Sequence, residues 1–112
     1  MIVVEKNEGT KIEYEVSKTK ITFADELMLN LTKLEKDWDV HRDICMDADG
    51  NLTTGVGDGL YYVAEIDIPA REYEKPESEE ELPTAKPLDM DKVTLTLWGL
   101  ENPTPAIEEE EE

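Results

Sequence analysis

Two runs decide the fold: Asp37-Trp38-Asp39-Val40-His41-Arg42-Asp43-Ile44-Cys45-Met46 and Leu60-Tyr61-Tyr62-Val63-Ala64-Glu65-Ile66-Asp67-Ile68. In the first, Trp38, Val40, Arg42, Ile44 and Met46 share one phase of a two-residue period, and Asp37, Asp39, His41, Asp43 and Cys45 share the other. In the second, Leu60, Tyr62, Ala64, Ile66 and Ile68 alternate with Tyr61, Val63, Glu65 and Asp67. Successive side chains leave a strand on opposite faces, so this period marks half-buried strands. The two runs predict a long antiparallel hairpin as the backbone of a sheet. Between them, Asp47-Ala48-Asp49-Gly50-Asn51 holds the Asp-Gly pair that tight turns favour, and Gly55, Gly57 and Gly59 predict an exposed return loop.

Working outward toward the N-terminus, residues 2–5 make a short start with apolar Ile2, Val3 and Val4 and lead through Asn7-Glu8-Gly9 to Ile12, Tyr14 and Val16 in alternation, which predicts an opening hairpin. Ile21-Thr22-Phe23 reads as a third strand and residues 27–31 as a fourth. A helix over residues 24–36 competes with that fourth strand. Thr22 to Asp25 resembles a capping box, and Leu27, Leu31 and Leu34 fall at helical spacing. The strand reading is preferred and the helix stays open.

Toward the C-terminus, residues 72–87 are rich in Glu, Pro, Lys and Ser and offer little to bury, so a mobile acidic loop is expected over residues 72–89. Val93, Leu95 and Leu97 alternate with Thr94, Thr96 and Trp98 and predict a last strand. The chain then passes through Asn102-Pro103-Thr104-Pro105 toward five consecutive glutamates, and a disordered acidic tail is expected over residues 101–112. The fold class expected is all-β and mostly antiparallel. A small sandwich or barrel of six to seven strands would form a single domain over residues 1–100.

The 112 residues include 29 acidic and 11 basic side chains, a formal net charge of −18. Residues 1–70 carry −8 of it and residues 71–112 carry −10. Such a balance argues against direct nucleic-acid binding, which needs clustered Lys and Arg, and against anionic membrane surfaces. No apolar run approaches the ~20 residues of a spanning helix. The first residues lack the pattern of a secretory signal, and the single cysteine, Cys45, suits a reducing compartment, so a cytoplasmic location is the expectation.

The sharpest constellation of side chains is Asp39, His41 and Asp43. Residues two apart on a strand project side by side, so an imidazole between carboxylates is the start of a divalent metal site, with the second strand supplying more oxygen ligands. A solvated sheet face selects the same residues without any metal, and that is the commoner outcome. The expectation is therefore no cofactor, with Asp39, His41 and Asp43 as the metal candidates. The Asp47–Asn51 stretch is a poor calcium loop: with Gly50 at the sixth position, Cys45 and Val56 occupy places that need oxygen ligands. A Cys45–His41 catalytic pair is excluded on one strand, since four residues at ~3.3 Å each separate them by roughly 13 Å. The glycines between Gly50 and Gly59 lack the Lys and helix start of a phosphate loop. No enzyme activity is expected. Large aromatics anchor interfaces, and Tyr61 and Trp98, out of phase with the apolar residues around them, are the protein-binding candidates.

Residues 21–71, with His41-Arg42-Asp43-Ile44-Cys45-Met46-Asp47 and Tyr62-Val63-Ala64-Glu65-Ile66-Asp67-Ile68-Pro69-Ala70-Arg71 at their centre, and residues 92–100 with Val93-Thr94-Leu95-Thr96-Leu97-Trp98, resemble small uncharacterised proteins encoded in prophage gene clusters. The resemblance carries no catalytic motif. It implies a phage-associated accessory or structural role in a bacterial host, with association with the virion among the implied locations. The function expected is protein–protein interaction, with a protein partner or with other copies of the chain. The alternative is an acidic inhibitor, or DNA mimic, that occupies a basic nucleic-acid-binding site on another protein.

Overall fold

The computed structural model describes residues 1–101 and 103–106, so the glutamates expected to form the end of the tail lie outside the described residues. In chain order the described residues form β1 (Ile2–Glu5), β2 (Tyr14–Ser17), β3 (Lys20–Phe23), β4 (Leu27–Asn30) and a single helical turn, α1 (Leu31–Leu34). Then follow β5 (Val40–Met46), β6 (Leu52–Thr54), β7 (Tyr61–Ile68), β8 (Tyr73–Glu74), β9 (Thr84–Ala85), a 3-10 turn at Met90–Lys92 and β10 (Thr94–Leu97). The class is all-β, with antiparallel pairing throughout except between β1 and β10.

The central pairing is the one that the alternation predicts: β5 and β7 run antiparallel, with Val40 opposite Ile68 and Ile44 opposite Ala64. The register shifts between Ile44 and Cys45, where Cys45 stands opposite Tyr62 and Val63 has no partner in the ladder. A residue inserted in this way lets two neighbours on one strand turn inward. Val63 and Ala64 accordingly both join the core with Ile44, while Cys45, opposite Tyr62, is buried outside that core cluster. The Asp47–Asn51 turn does not lead straight back to β7. It first returns β6 along the other edge of β5, held by Asp47 Oδ1, which accepts the N–H groups of Asp49 and Asn51 at 2.9 Å each.

The strands of the described residues are divided among three sheets. One has five strands in the order β1-β10-β7-β5-β6, a second is the β2-β3-β4 meander, and a third is the β8–β9 pair. One apolar cluster joins the first two, with Ile12, Ile21, Phe23 and Leu31 from the meander side and Val40, Ile44, Ile66, Ile68 and Leu95 from the larger sheet. The core therefore lies between the meander and one face of the five-stranded sheet, which leaves the other face of that sheet for solvent.

Two expectations are corrected, and one open choice is resolved. The opening hairpin does not form: β1 runs parallel to β10, with Ile2 N–H donating to Val93 O at 2.8 Å and Lys6 N–H to Leu97 O at 2.8 Å. Asn7 explains the choice of partner, since its Oδ1 accepts the Gly99 N–H just past β10. The preferred fourth strand forms as β4, and the competing helix over residues 24–36 shrinks to the single turn α1. Ala24 and Asp25 sit in the left-handed region at φ 50° and 54°, where a right-handed helix cannot start, so β4 comes first and α1 only afterwards. Trp38, in phase with Val40, is 65% exposed because β5 begins only at Val40.

The acidic excursion is anchored at its base. Tyr73 pairs with Ala85, Lys86 N–H donates to Glu72 O at 2.8 Å, and Lys92 Nζ meets Glu72 Oε2 at 2.8 Å. Arg71 ties this base to the segment before β5, with Nη2 on Glu35 O at 2.9 Å and Nη1 on Asp37 Oδ1 at 3.1 Å. Of the tail expected from residue 101, Glu101 and residues 103–106 are instead tied to the fold. Glu101 accepts the Thr10 N–H, Tyr62 N–H donates to Thr104 O at 3.0 Å, Tyr61 bridges Pro105, and Ala106 is fully buried. Among the described residues no helix is long and apolar enough to cross a membrane.

Candidate functional site

The outer face of the five-stranded sheet follows from the register. Residues opposite one another on neighbouring strands share a face. His41 stands opposite Asp67 and Asp43 opposite Glu65, all out of phase with the buried Val40, Ile44, Ile66 and Ile68. Four polar side chains are thereby gathered on one patch. His41 Nδ1 lies 2.6 Å from Asp67 Oδ1, and Nε2 lies 2.7 Å from Asp43 Oδ1 and 3.5 Å from Glu65 Oε1. Asp43 and Glu65 are only 22% and 21% exposed, whereas His41 and Asp67 are 46% and 52% exposed.

Electrostatics follow from these distances. Burial works to lower the pKa of the imidazole, but hydrogen bonds to Asp67 and Asp43, and the charges of both, outweigh it and raise His41 above its ordinary 6.5. Beneath the patch, Cys45 is fully buried, and burial first, then the carboxylates of Asp43 and Glu65, push its thiol up to about 11. It is neutral at pH 7 and adds no further charge. Glu65 is held from its other oxygen, with Trp98 Nε1–H donating to Oε2 at 2.8 Å. Trp98 in turn stacks on Tyr62 with centroids 4.9 Å apart and planes at 16°, and Lys6 Nζ lies 5.5 Å from its ring centroid.

Of the three metal candidates, His41 and Asp43 are brought together and Asp39 is not. Asp39 lies ahead of β5 and its Oδ1 accepts the Ala70 N–H at 2.9 Å, which commits it to holding the loop after β7. The cluster is completed instead by Glu65 and Asp67, which already stood on the outward phase of their run. What the period could not supply was the register that sets them against His41. The three side chains His41, Asp43 and Glu65 present ligand atoms all within 4.8 Å of one another. A shallow cavity of about 250 Å³ opens beside them, lined by His41, Asp67, Pro69, Lys92 and Thr94 among others. A larger cavity, about 410 Å³, opens against the meander and shares no residue with this cluster.

The two aromatic candidates are half-buried, and they do not share a face. Tyr61 and Tyr62 are consecutive on β7, so their side chains leave it on opposite sides. Tyr62 takes the side of Trp98, and both tyrosines border a cavity of about 300 Å³ that Met46, Leu100 and Pro103 also line.

A further exposed surface is the edge of the large sheet at β1. β1 is its terminal strand, and Ile2, Val3 and Val4 are 51%, 45% and 42% exposed. Ile2 and Lys6 direct their N–H groups to β10, so by alternation Val3 and Glu5 direct theirs outward. Exposed edges are commonly blunted by Lys, Pro or a bulge, and an Ile-Val-Val edge lacks these devices. The signal for it was present as three β-branched residues in a row.

Compared with known proteins, the chain matches no protein-family model, no curated protein and no solved structure. Its function is therefore argued from its own geometry.

Proposed function

We propose that this chain is a non-enzymatic protein-binding module that recruits a partner by strand addition at β1. The observation that supports the reading is the exposed Ile2-Val3-Val4 edge, with outward backbone groups at Val3 and Glu5 ready to extend the five-stranded sheet. Main-chain hydrogen bonds would supply affinity, and the exposed aliphatic side chains would supply apolar contact. At a net charge of −18, a second copy is repelled, so the favoured occupant is an extended segment of a different, neutral or basic protein. In this reading the meander closes one face of the large sheet as the second layer of a small sandwich. The resemblance to prophage-encoded proteins makes a phage accessory or assembly task, in the bacterial cytoplasm or on the particle, the setting of choice.

The alternative of an acidic inhibitor that occupies a basic nucleic-acid site draws on Asp43, Glu65 and Asp67, which are fixed on a sheet. Those carboxylates converge on one imidazole instead of spreading along a line, which fits a phosphate backbone poorly.

The test uses the outward N–H of Val3. Proline there removes one outward donor while leaving the bonds of Ile2 and Lys6 to β10. Tagged wild type, Val3→Pro and Val3→Lys are used to capture partners from a lysate of prophage-induced cells, with elution in steps of rising salt. Strand addition predicts a partner retained at high salt by wild type and lost by both folded variants. A partner released at moderate salt and bound equally by all three points to the acidic inhibitor instead.

A further inference from the structure

We propose that His41, Asp43 and Glu65 bind one divalent first-row transition ion, with His41 Nε2, an Asp43 oxygen and Glu65 Oε1 as its ligands and Asp67 and Trp98 as supports. This site is independent of the β1 edge.

The argument rests on how each ligand is oriented. A ligating histidine characteristically gives its second ring N–H to a carboxylate, which fixes the tautomer and turns the other nitrogen's lone pair to the ion. His41 is placed for that arrangement: with its proton on Nδ1 facing Asp67 Oδ1 at 2.6 Å, deprotonation of Nε2 gives a metal the lone pair now turned to Asp43 at 2.7 Å. Ligating carboxylates are likewise held from outside. Trp98 Nε1–H takes Glu65 Oε2, and so directs Oε1 at His41 Nε2 across 3.5 Å. The indole is a neutral donor from outside the acidic cluster, fixed by its stacking on Tyr62, so the aim of Glu65 is set by a side chain that no charge balance requires.

The spacing also fits. An ion about 2.0–2.2 Å from nitrogen and oxygen ligands needs its donors roughly 3 to 3.5 Å apart. The distances from Nε2 are 2.7 Å to Asp43 and 3.5 Å to Glu65, so insertion needs only a few tenths of an ångström on the Asp43 side. One imidazole and two carboxylates suit zinc, manganese or iron better than calcium, which takes six to eight oxygens. Three protein ligands on an open face leave positions for water or for a donor from a partner.

The test is calorimetric titration of the full-length protein with zinc, and with calcium for contrast. The expected result is one zinc per chain and no saturable calcium uptake at this patch. His41→Gln and Glu65→Gln should abolish the zinc isotherm. Asp67→Asn should weaken it by about tenfold, the lower end of what loss of such a support costs. Glu74→Gln, which removes one exposed carboxylate from β8, should leave it unchanged, as should deletion of residues 108–112. In a Trp38→Phe background, the fluorescence of Trp98 should shift with the same midpoint as the heat. Equal zinc uptake by wild type and a folded His41→Gln, or uptake lost with residues 108–112, overturns the proposal and assigns the ions to diffuse acidic charge.

Discussion

His41 and Asp67 face one another across the β5–β7 ladder with Nδ1 2.6 Å from Oδ1, and this pair makes the outer sheet face sensitive to pH. The folded pKa of His41 is raised above 6.5, so folding favours the protonated ring. Its contribution to stability is fully present below the unfolded value and is lost as pH rises through the higher folded value. The urea midpoint of wild type should exceed that of His41→Gln at about pH 5.5, and the gap should close by about pH 8.5, both read in chelator. Asp67→Asn should shrink the same gap. A gap that widens with pH contradicts the assignment.

What made this pair hard to see beforehand is a matter of range. The alternation from Val40 to Ile44 is a local property, and it predicted both the β5–β7 pairing and the outward phase of His41, Asp43, Glu65 and Asp67. Which acid meets which nitrogen depends on register, and register here is disturbed by the extra residue at Val63. Asp39 looked equivalent to Asp43 by spacing alone, yet the strand starts one residue after it and Ala70 claims its oxygen. The partner of β1 was hidden for a related reason: Asn7-Glu8-Gly9 turns the chain, but the strand it serves is β10, near the other end. Tyr61 and Trp98 shared an aromatic signal, and only the position of each on the sheet separates them.

Arg71 provides a second test, this time of how the acidic hairpin is fastened. Its guanidinium reaches Glu35 O at 2.9 Å, Glu35 Oε1 at 3.5 Å and Asp37 Oδ1 at 3.1 Å, and Tyr73 O–H also donates to Asp37. The Glu35 side chain is 9% exposed, so losing its cation leaves a nearly buried carboxylate without a charged partner. Arg71→Ala should lower the melting temperature and speed proteolysis between residues 75 and 83. Arg71→Lys should restore only part of the loss, because a single ammonium cannot span the separate acceptors that the planar fork reaches. Melting curves and limited proteolysis that match wild type for both variants would falsify this role.

The last prediction concerns Gly99, where β10 ends against the turn after β1. A Cβ built there clashes with Glu8 O and meets Asn7 Oδ1 at 3.1 Å, and the first of these atoms is backbone that no rotamer change can move. Gly50 makes the useful contrast: its φ is +85° but a Cβ there meets nothing within 4 Å. Gly50→Ala should cost only the left-handed strain, about 1–2 kcal/mol. Gly99→Ala must shift the Asn7–Glu8 backbone, and with it the anchor that holds β1 beside β10, so about 1–3 kcal/mol of overpacking adds to the loss of the Asn7 hydrogen bond. The distinguishing measurement is hydrogen exchange resolved by residue. Gly99→Ala should raise exchange at Ile2 and Lys6, whose N–H groups bond to β10, while Gly50→Ala leaves them protected and acts near the β5–β6 turn. Equal protection of Ile2 and Lys6 in both variants would mean that β1 is held by its own pairing with β10 and not by the contact at Gly99.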